Sequence, residues 1–200
     1  MSTANKSHDD FILSDYPRKV TVGRLKELLM REDRDSKREV IDFIYHRLNH
    51  RYLVPLLHIP REYKSGFLMM ASACLMIETM EAFYKGYKET KSRAGRKTFK
   101  AFFERESDLF PGFAADATNF YRNIRCGILH QAETRGGYRI LRRGSLFDVN
   151  KKTINANAFI KALAKSLATY ATDLWQSEKD STLWSNAQKK IRFISDNCQS

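Results

Sequence analysis

Apolar side chains recur every three or four positions along most of this chain, which is the spacing of amphipathic helices. The first such pattern follows Thr21, a suitable N-cap, and predicts a short helix. A second helix is predicted to begin at Asp35 or Ser36 and to be interrupted by Pro55. Residues 63–87 are apolar around most of the helix circumference, so we expect them to form the central buried helix.

The second half of the chain continues the helical pattern. Three further helices are predicted there, over about 98–106, 113–133 and 182–196. A fourth and longer helix is predicted to begin after Asn155 or Asn157, either of which can cap it. Six or seven helices are therefore expected, with no extended sheet.

Two short runs of strand-forming residues separate the 113–133 helix from the long helix. They cover Tyr138 to Leu141 and Ser145 to Val149, and they flank Arg142-Arg143-Gly144 as the strands of a small hairpin would. The predicted fold class is all-α: an antiparallel helical bundle of six or seven helices, with a small β-hairpin insertion after the 113–133 helix.

The length and composition indicate one domain, because 200 residues can bury a single core and the composition does not change abruptly. Residues 21–200 are predicted to form this domain, and the mostly polar residues 1–20 are predicted to be a flexible tail. Cys74, Cys126 and Cys198 are isolated, and the chain lacks a secretory pattern at its start and an apolar run of about 20 residues. These features predict a cytoplasmic protein that does not span a membrane.

The charge balance indicates a polyanionic partner. Lys and Arg number 35 against 23 Asp and Glu, which gives a formal net charge of +12 and a pI of about 9.7. Nucleic acid is the first candidate, although charge alone supports binding and not catalysis.

The residues best suited to phosphate chemistry concentrate in the stretch Tyr121 to Gln131, which holds Arg122, Arg125 and His130. Arginine forks onto phosphate oxygens and histidine titrates near neutrality, so together they can cleave a phosphodiester without a metal. On one helix, Arg125 and His130 lie about 140° apart and flank an outer surface that includes Leu129. A two-fold axis at that surface would bring Arg and His groups from two chains into one cleft, so we expect a homodimer. The buried face of this helix is predicted to comprise Phe113, Ala117, Phe120, Tyr121, Ile124 and Ile128.

The run Arg125-Cys126-Gly127-Ile128-Leu129-His130 resembles the motif of the HEPN superfamily, whose members are all-helical and often metal-independent ribonucleases. HEPN nucleases carry an Arg, a spacer of four to six residues and a His on a late helix, and here four residues separate Arg125 from His130. The following Gly-Gly pair, hairpin and long helix are also similar to several bacterial HEPN proteins. The resemblance therefore extends over much of residues 63–175.

One position differs from the family pattern. The family often places Asn, Asp or His directly after the Arg, whereas this chain has Cys126 there. Arg122 does precede a polar residue, Asn123, but seven residues separate Arg122 from His130. The motif arginine is therefore Arg125 or Arg122.

The resemblance implies a metal-independent endoribonuclease that uses no cofactor. An RNA 2′-hydroxyl would attack its own phosphate and yield a 2′,3′-cyclic phosphate and a 5′-hydroxyl. His130 would act as general base or acid, Arg125 would stabilise charge in the transition state, and Arg122 and Asn123 would hold the phosphate. The resemblance also implies a toxin or antiphage defence effector, with RNA as its substrate and an antitoxin protein as a partner.

Other residues are predicted to support this site. Arg142 and Arg143, at the tip of the predicted hairpin, are candidates for binding RNA phosphates. Glu78 and Glu81 interrupt the most apolar helix, and a buried carboxylate there needs a cationic partner, so one of them can orient Arg125 or His130. The alternative is that this helix end simply emerges into solvent.

Two other interpretations remain at the sequence level. A non-catalytic HEPN-like dimeric module would bind RNA, a nucleotide or a partner protein without turnover, and Cys126 in place of a polar residue favours it. A helix-turn-helix DNA-binding regulator is disfavoured because no short helix pair of that kind is predicted. No metal site is predicted, because His46 and His50 have helical ligand spacing but no third ligand.

Overall fold

The structure is a computed structural model, and it describes residues 7–31, 33–60, 62–89 and 94–198. These residues form seven continuous helical segments and two small sheets, which confirms the predicted all-α class with a small β insertion. The α-helices are α1 (Val22–Met30), α2 (Arg34–Leu48), α3 (Val54–Leu57), α4 (Gly66–Lys85), α5 (Gly95–Arg105), α6 (Phe113–Phe120), α7 (Cys126–Gln131), α8 (Ala156–Gln176) and α9 (Thr182–Asp196). Two π-helical segments, Asn49–Leu53 and Tyr121–Arg125, join α2 to α3 and α6 to α7. The strands are β1 (Ile12–Ser14), β2 (Val20–Thr21), β3 (Arg139–Leu141), β4 (Phe147–Asp148) and β5 (Thr153–Asn155).

Side-chain caps determine where two of the predicted helices begin. The Asp33 carboxylate accepts the Ser36 backbone N–H at 2.7 Å, so the cap of α2 is Asp33 and not the predicted Asp35 or Ser36. For α8, the Asn155 side chain accepts the Ala158 backbone N–H at 3.2 Å, which selects the first of the two predicted caps.

The described residues group into two compact units. The first comprises those within Met1–Leu48, Ala82–Lys88 and Thr169–Ser200, and the second comprises those within Asn49–Glu81 and Glu89–Ala168. In the first unit, α1 packs against α2 and α9. The second unit contains every residue that the sequence assigns to the candidate site.

Part of the predicted flexible tail is built into the first unit. β1 pairs with β2 in antiparallel fashion, Leu13 on β1 is buried, and the Arg47 guanidinium donates to the Leu13 carbonyl. A short 3-10 helix, His8–Asp10, precedes β1. The short apolar run Phe11-Ile12-Leu13 attaches this segment to the first unit through the buried Leu13. Residues 1–6 of the predicted tail lie outside the described residues.

The core of the second unit is a cluster of phenylalanine rings. Neighbouring rings lie 4.9–6.3 Å apart in stacked, tilted and edge-to-face arrangements, and all seven are fully buried. The cluster consists of Phe99, Phe102, Phe103, Phe110, Phe113, Phe120 and Phe159. It fixes α5, α6 and the start of α8, and thereby the helix that continues into the candidate site.

The predicted β-hairpin is wrong in its pairing. β3 pairs in parallel with β5, and β4 pairs antiparallel with β5, so the strand order is β3-β5-β4 and the two predicted hairpin strands do not pair with each other. β5 ends at Asn155, the cap of α8, and the sequence predicted for Asn155 a capping role only. As the central strand, β5 forms backbone hydrogen bonds with both β3 and β4. An isolated hairpin of two short strands would be only marginally stable.

The most apolar helix, α4, is long and apolar enough to cross a membrane by length and composition. Most of its apolar window is buried inside the fold, as in the core helix of a soluble protein. This agrees with the predicted central buried helix at 63–87.

Candidate functional site

The helix that carries the motif changes its winding at the motif itself. Between Tyr121 and Arg125 the backbone is π-helical, and the Cys126 N–H donates to the Tyr121 carbonyl instead of continuing the α-helical ladder. Such π turns inside α-helices are frequent at functional sites because they redirect the side chains that follow. Here the π turn ends on Arg125.

Glu78 holds Arg125 in place. The Arg125 Nε donates to Glu78 Oε1 at 2.9 Å, and the two side chains are only 21% and 18% exposed. Burial disfavours the charged guanidinium, but the hydrogen bond and the charge of Glu78 keep the pKa of Arg125 above its ordinary value. The N–H groups on the two terminal nitrogens of Arg125 make no hydrogen bond with any described residue.

Tyr121 supports the same arginine from within the π turn. The Arg125 guanidinium carbon lies 5.8 Å from the centre of the Tyr121 ring. Burial, followed by a hydrogen bond with Cys126, raises the pKa of the Tyr121 phenol. The ring also packs on α5 where only glycine fits, since a Cβ at Gly95 would lie 2.4 Å from a Tyr121 ring carbon. Sequence reasoning assigned Tyr121 only to the buried face, although its position four residues before Arg125 indicates a contact.

His130 is exposed near the end of α7. Within the described residues it makes no hydrogen bond or ion pair, and none joins it to Arg125. Arg122 is likewise exposed and has no partner among the described residues. The two groups are therefore accessible to a ligand, whereas Arg125 is partly buried and fixed.

The segment Glu133–Tyr138 folds back over the motif helix and fixes its end. The Arg135 N–H donates to the Asn123 carbonyl at 3.0 Å, and the Thr134 hydroxyl donates to the Tyr138 carbonyl at 2.6 Å. The approach is closest at Gly127, where a Cβ would lie 2.5 Å from the Glu133 carbonyl oxygen. This return segment was not predicted. Its only signal in the sequence is the pair Gly136-Gly137, which indicates a turn.

The return segment also changes the buried face of the motif helix. Phe113, Ala117, Phe120 and Ile124 are buried as predicted. Gly127 is buried under the return segment, however, while Tyr121 and Ile128 are only half-buried. The regular helical projection failed here because it included neither the π turn nor the chain that covers Gly127.

Two other residues of the predicted site, Glu81 and Asn123, contact neighbouring segments of the chain. Glu81, predicted as a supporting carboxylate, is buried and forms an ion pair with Arg105, which also donates to Glu106 at 3.2 Å. Asn123, predicted to hold phosphate, is half-buried, and its side chain lies against the turn at Gly136, where a Cβ would be 3.0 Å from Asn123 Nδ2. Of the two carboxylates, Glu78 is the one that forms an ion pair with the motif arginine Arg125.

The two arginines after β3 differ from each other. Arg142 donates from Nε to Asn157 and from its terminal nitrogens to the carbonyls of Ile59, Pro60 and Tyr63, at 2.7–3.2 Å. These bonds occupy four of the five N–H groups of a guanidinium, so Arg142 is a structural residue and not the free phosphate ligand predicted. Arg143 is exposed and has no partner among the described residues.

Comparisons of the chain with protein-family models, with curated proteins and with solved structures found no match. The assignment of the site therefore depends on its own geometry. That geometry brings together Glu78, Tyr121, Arg125 and Cys126, and places Arg122 and His130 exposed on the same helix.

Proposed function

We propose that this chain is a metal-independent endoribonuclease that acts through Arg125 and His130. The observation that carries the proposal is the fixed guanidinium of Arg125, held by Glu78 and Tyr121 at a π turn, five residues before an exposed His130 that has no hydrogen-bond or ion-pair partner in the part of the chain that the structure describes. A preorganised cation and an accessible imidazole are the two groups that phosphodiester cleavage by an internal nucleophile requires.

In the proposed reaction, the RNA 2′-oxygen bonds to the adjacent phosphorus and the bond to the 5′-oxygen breaks. The proton of the 2′-hydroxyl leaves to a base, and the departing 5′-oxygen receives a proton, so the products are a 2′,3′-cyclic phosphate and a 5′-hydroxyl. His130 performs proton transfer, since its imidazole is exposed and an imidazole can both accept and donate a proton. Arg125 stabilises the charge on the phosphorus centre, and Arg122 binds a neighbouring phosphate.

The proposal includes a homodimer, because five residues of regular α-helix separate Arg125 and His130 by about 140° and no hydrogen bond or ion pair joins them among the described residues. Two exposed leucines support a contact between copies. Leu75 lies three residues before Glu78 and is 46% exposed, and Leu129 lies four residues after Arg125 and is 40% exposed. Each leucine is thus about one helical turn from a member of the Glu78–Arg125 pair.

The decisive experiment is cleavage of mixed cellular RNA in the presence of EDTA. We expect cutting by the wild type, with cyclic-phosphate ends, and loss of cutting in His130→Ala, Arg125→Ala and Arg125→Lys. The lysine variant retains the charge but not the fork, so it separates phosphate geometry from charge alone. Matched controls are His58→Ala and Arg96→Ala, which remove an exposed histidine and an exposed arginine of the same unit and should cut normally.

A non-catalytic module that binds RNA, a nucleotide or a partner protein is the second candidate function. The observation that favours it is the contact between Cys126 and Tyr121, which engages the side chain directly after Arg125 in the protein itself. Wild-type protein that binds RNA but does not cut it, or equal cutting by all variants, would favour this candidate over the nuclease. A role as toxin or defence effector, neutralised by an antitoxin protein, is part of the nuclease proposal and requires that the nuclease activity be shown.

A further inference from the structure

A cavity of about 640 Å³ lies where β3 and β5 end and α8 begins. Its walls include three basic residues, Arg142, Arg143 and Lys161, together with the apolar Leu141 and Ala158. Among the described residues that line it, none is acidic. We call this cavity the basic cleft; its volume is within the range that holds a nucleotide-sized ligand.

The positive charge of Arg142 in the basic cleft is fixed and is not balanced by a carboxylate. All four acceptors of its guanidinium are neutral, namely three backbone carbonyls and the Asn157 amide oxygen. The Asn157 amide also donates back to the Arg142 carbonyl at 2.8 Å, which locks the backbone at the wall of the cleft. A cation held this way contributes its positive charge to the wall of the cleft without having to reorganise when a ligand binds.

The other two cations are accessible and unpaired. Arg143 and Lys161 are exposed and make no hydrogen bond or ion pair with any described residue. The first turn of α8 does not supply the binding groups, because the Asn155 side chain already accepts the Ala158 N–H and donates to the Gly144 carbonyl. Binding capacity in the cleft therefore resides in the Arg143 and Lys161 side chains, reinforced by the charge of Arg142.

We propose that the basic cleft binds a phosphate group of a nucleotide-sized ligand, through Arg143 and Lys161. Cations without a counter-charge match a phosphate, and the apolar wall at Leu141 and Ala158 accommodates the group attached to it. The proposal does not depend on ribonuclease activity, because the cleft shares no residue with the Arg125–His130 motif.

The test is isothermal titration of the full chain with inorganic pyrophosphate and with AMP, using adenosine as the uncharged control. We expect both phosphates to bind and adenosine not to bind. Lys161→Glu and Arg143→Glu should each weaken binding at least about tenfold, which is the order expected for loss of a charge-assisted hydrogen bond. Lys165→Glu is the matched control, because Lys165 is exposed one turn further along α8 and does not line the cleft.

The ligand source is distinguished by a second titration with a short 5′-phosphorylated RNA and its 5′-hydroxyl form, in the His130→Ala background to prevent cutting. Tighter binding of the 5′-phosphorylated RNA than of its 5′-hydroxyl form, with the difference lost in Lys161→Glu, assigns the cleft to RNA ends. Equal binding of the two RNAs, with AMP still bound, assigns it to free nucleotides. Absence of binding by both pyrophosphate and AMP, or equal weakening by Lys165→Glu and Lys161→Glu, would overturn the proposal. Neither result bears on RNA cleavage, because AMP contains no internucleotide bond.

Discussion

At the scale of single residues, the Glu78–Arg125 pair determines how firmly the proposed site is preorganised. Both side chains are mostly shielded from water, and their hydrogen bond joins two residues that are 47 positions apart in sequence. Removing one partner leaves the other charge partly buried and unpaired, which costs more than removing both. The pair is therefore expected to behave as a coupled unit.

This coupling can be measured with a double-mutant cycle. We expect Glu78→Ala, Arg125→Ala and the double variant to give a coupling free energy of about 1 kcal/mol in urea unfolding. The control cycle uses Lys100 and Glu104, which lie 3.6 Å apart but are more than half exposed, and its coupling should be close to zero. Additive effects at Glu78 and Arg125 would show that the contact does not hold the arginine.

Tyr138 predicts a pH dependence at the alkaline end. Burial, then its hydrogen bond to Asp116 and the charge of Asp116, raise the pKa of the Tyr138 phenol. Above about pH 10 the unfolded chain loses this proton while the folded chain keeps it, so the stabilisation is complete below that pH and declines as the pH rises further.

Tyr138→Phe should accordingly be less stable than the wild type at pH 8, and its free energy of unfolding should fall less steeply between about pH 10 and 11. Urea unfolding of both proteins at several pH values measures the difference, and the remaining tyrosines act equally in both. Parallel curves would contradict the assignment.

The sequence predicted the residue types of the proposed site, and it named Glu78 as one of two carboxylates that could orient Arg125, which the hydrogen bond between them confirms. Arg125 and His130 were predicted because they are close in sequence and because motif spacing is a local property. The carboxylate that holds Arg125 and the three carbonyls that engage Arg142 come from distant segments. Arg142 and Arg143 are adjacent and chemically identical, so only tertiary contacts distinguish the structural one from the accessible one.

At the scale of elements, the return segment Glu133–Tyr138 packs directly against the motif helix at Gly127, where there is no room for a side chain. We expect Gly127→Ala to destabilise the fold by about 1–3 kcal/mol, although alanine is the better helix former, because its methyl group would collide with a backbone oxygen. Gly66→Ala is the comparison, since the nearest atom there is a side-chain methyl of Ile140, 2.9 Å away, which can move. Urea unfolding should show a clearly larger loss for Gly127→Ala; equal losses would indicate that the return segment is free to shift.

The helices could be predicted because their apolar periodicity depends only on residues close together in the sequence. For example, α9 has the predicted limits, 182–196. The small sheet was not, because the pairing of β3 with β5 depends on a strand of three residues next to a helix cap. The π turn at Tyr121–Arg125 is also invisible to a regular projection, which assigns every residue the same rotation.

At the scale of the whole molecule, the charge of +12 and the exposed leucines lead to the same expectation, a dimer that binds a polyanion. Leu129→Glu places a charge in the proposed contact and should convert a dimer into a monomer in a sedimentation concentration series, with loss of RNA cleavage. Val149→Glu is the control, because Val149 is 57% exposed and lies outside the proposed contact. A wild type that remains monomeric at high concentration would remove the composite cleft from the mechanism.

The division into two units has a practical consequence for spectroscopy. The only tryptophans in the chain, Trp175 and Trp184, both belong to the first unit. The second unit, with the candidate site, has a core of phenylalanine rings. Intrinsic tryptophan fluorescence will therefore follow the unfolding of the first unit. Near-ultraviolet circular dichroism in the phenylalanine band is weighted towards the unit where the chemistry is proposed, which holds nine of the 13 phenylalanines.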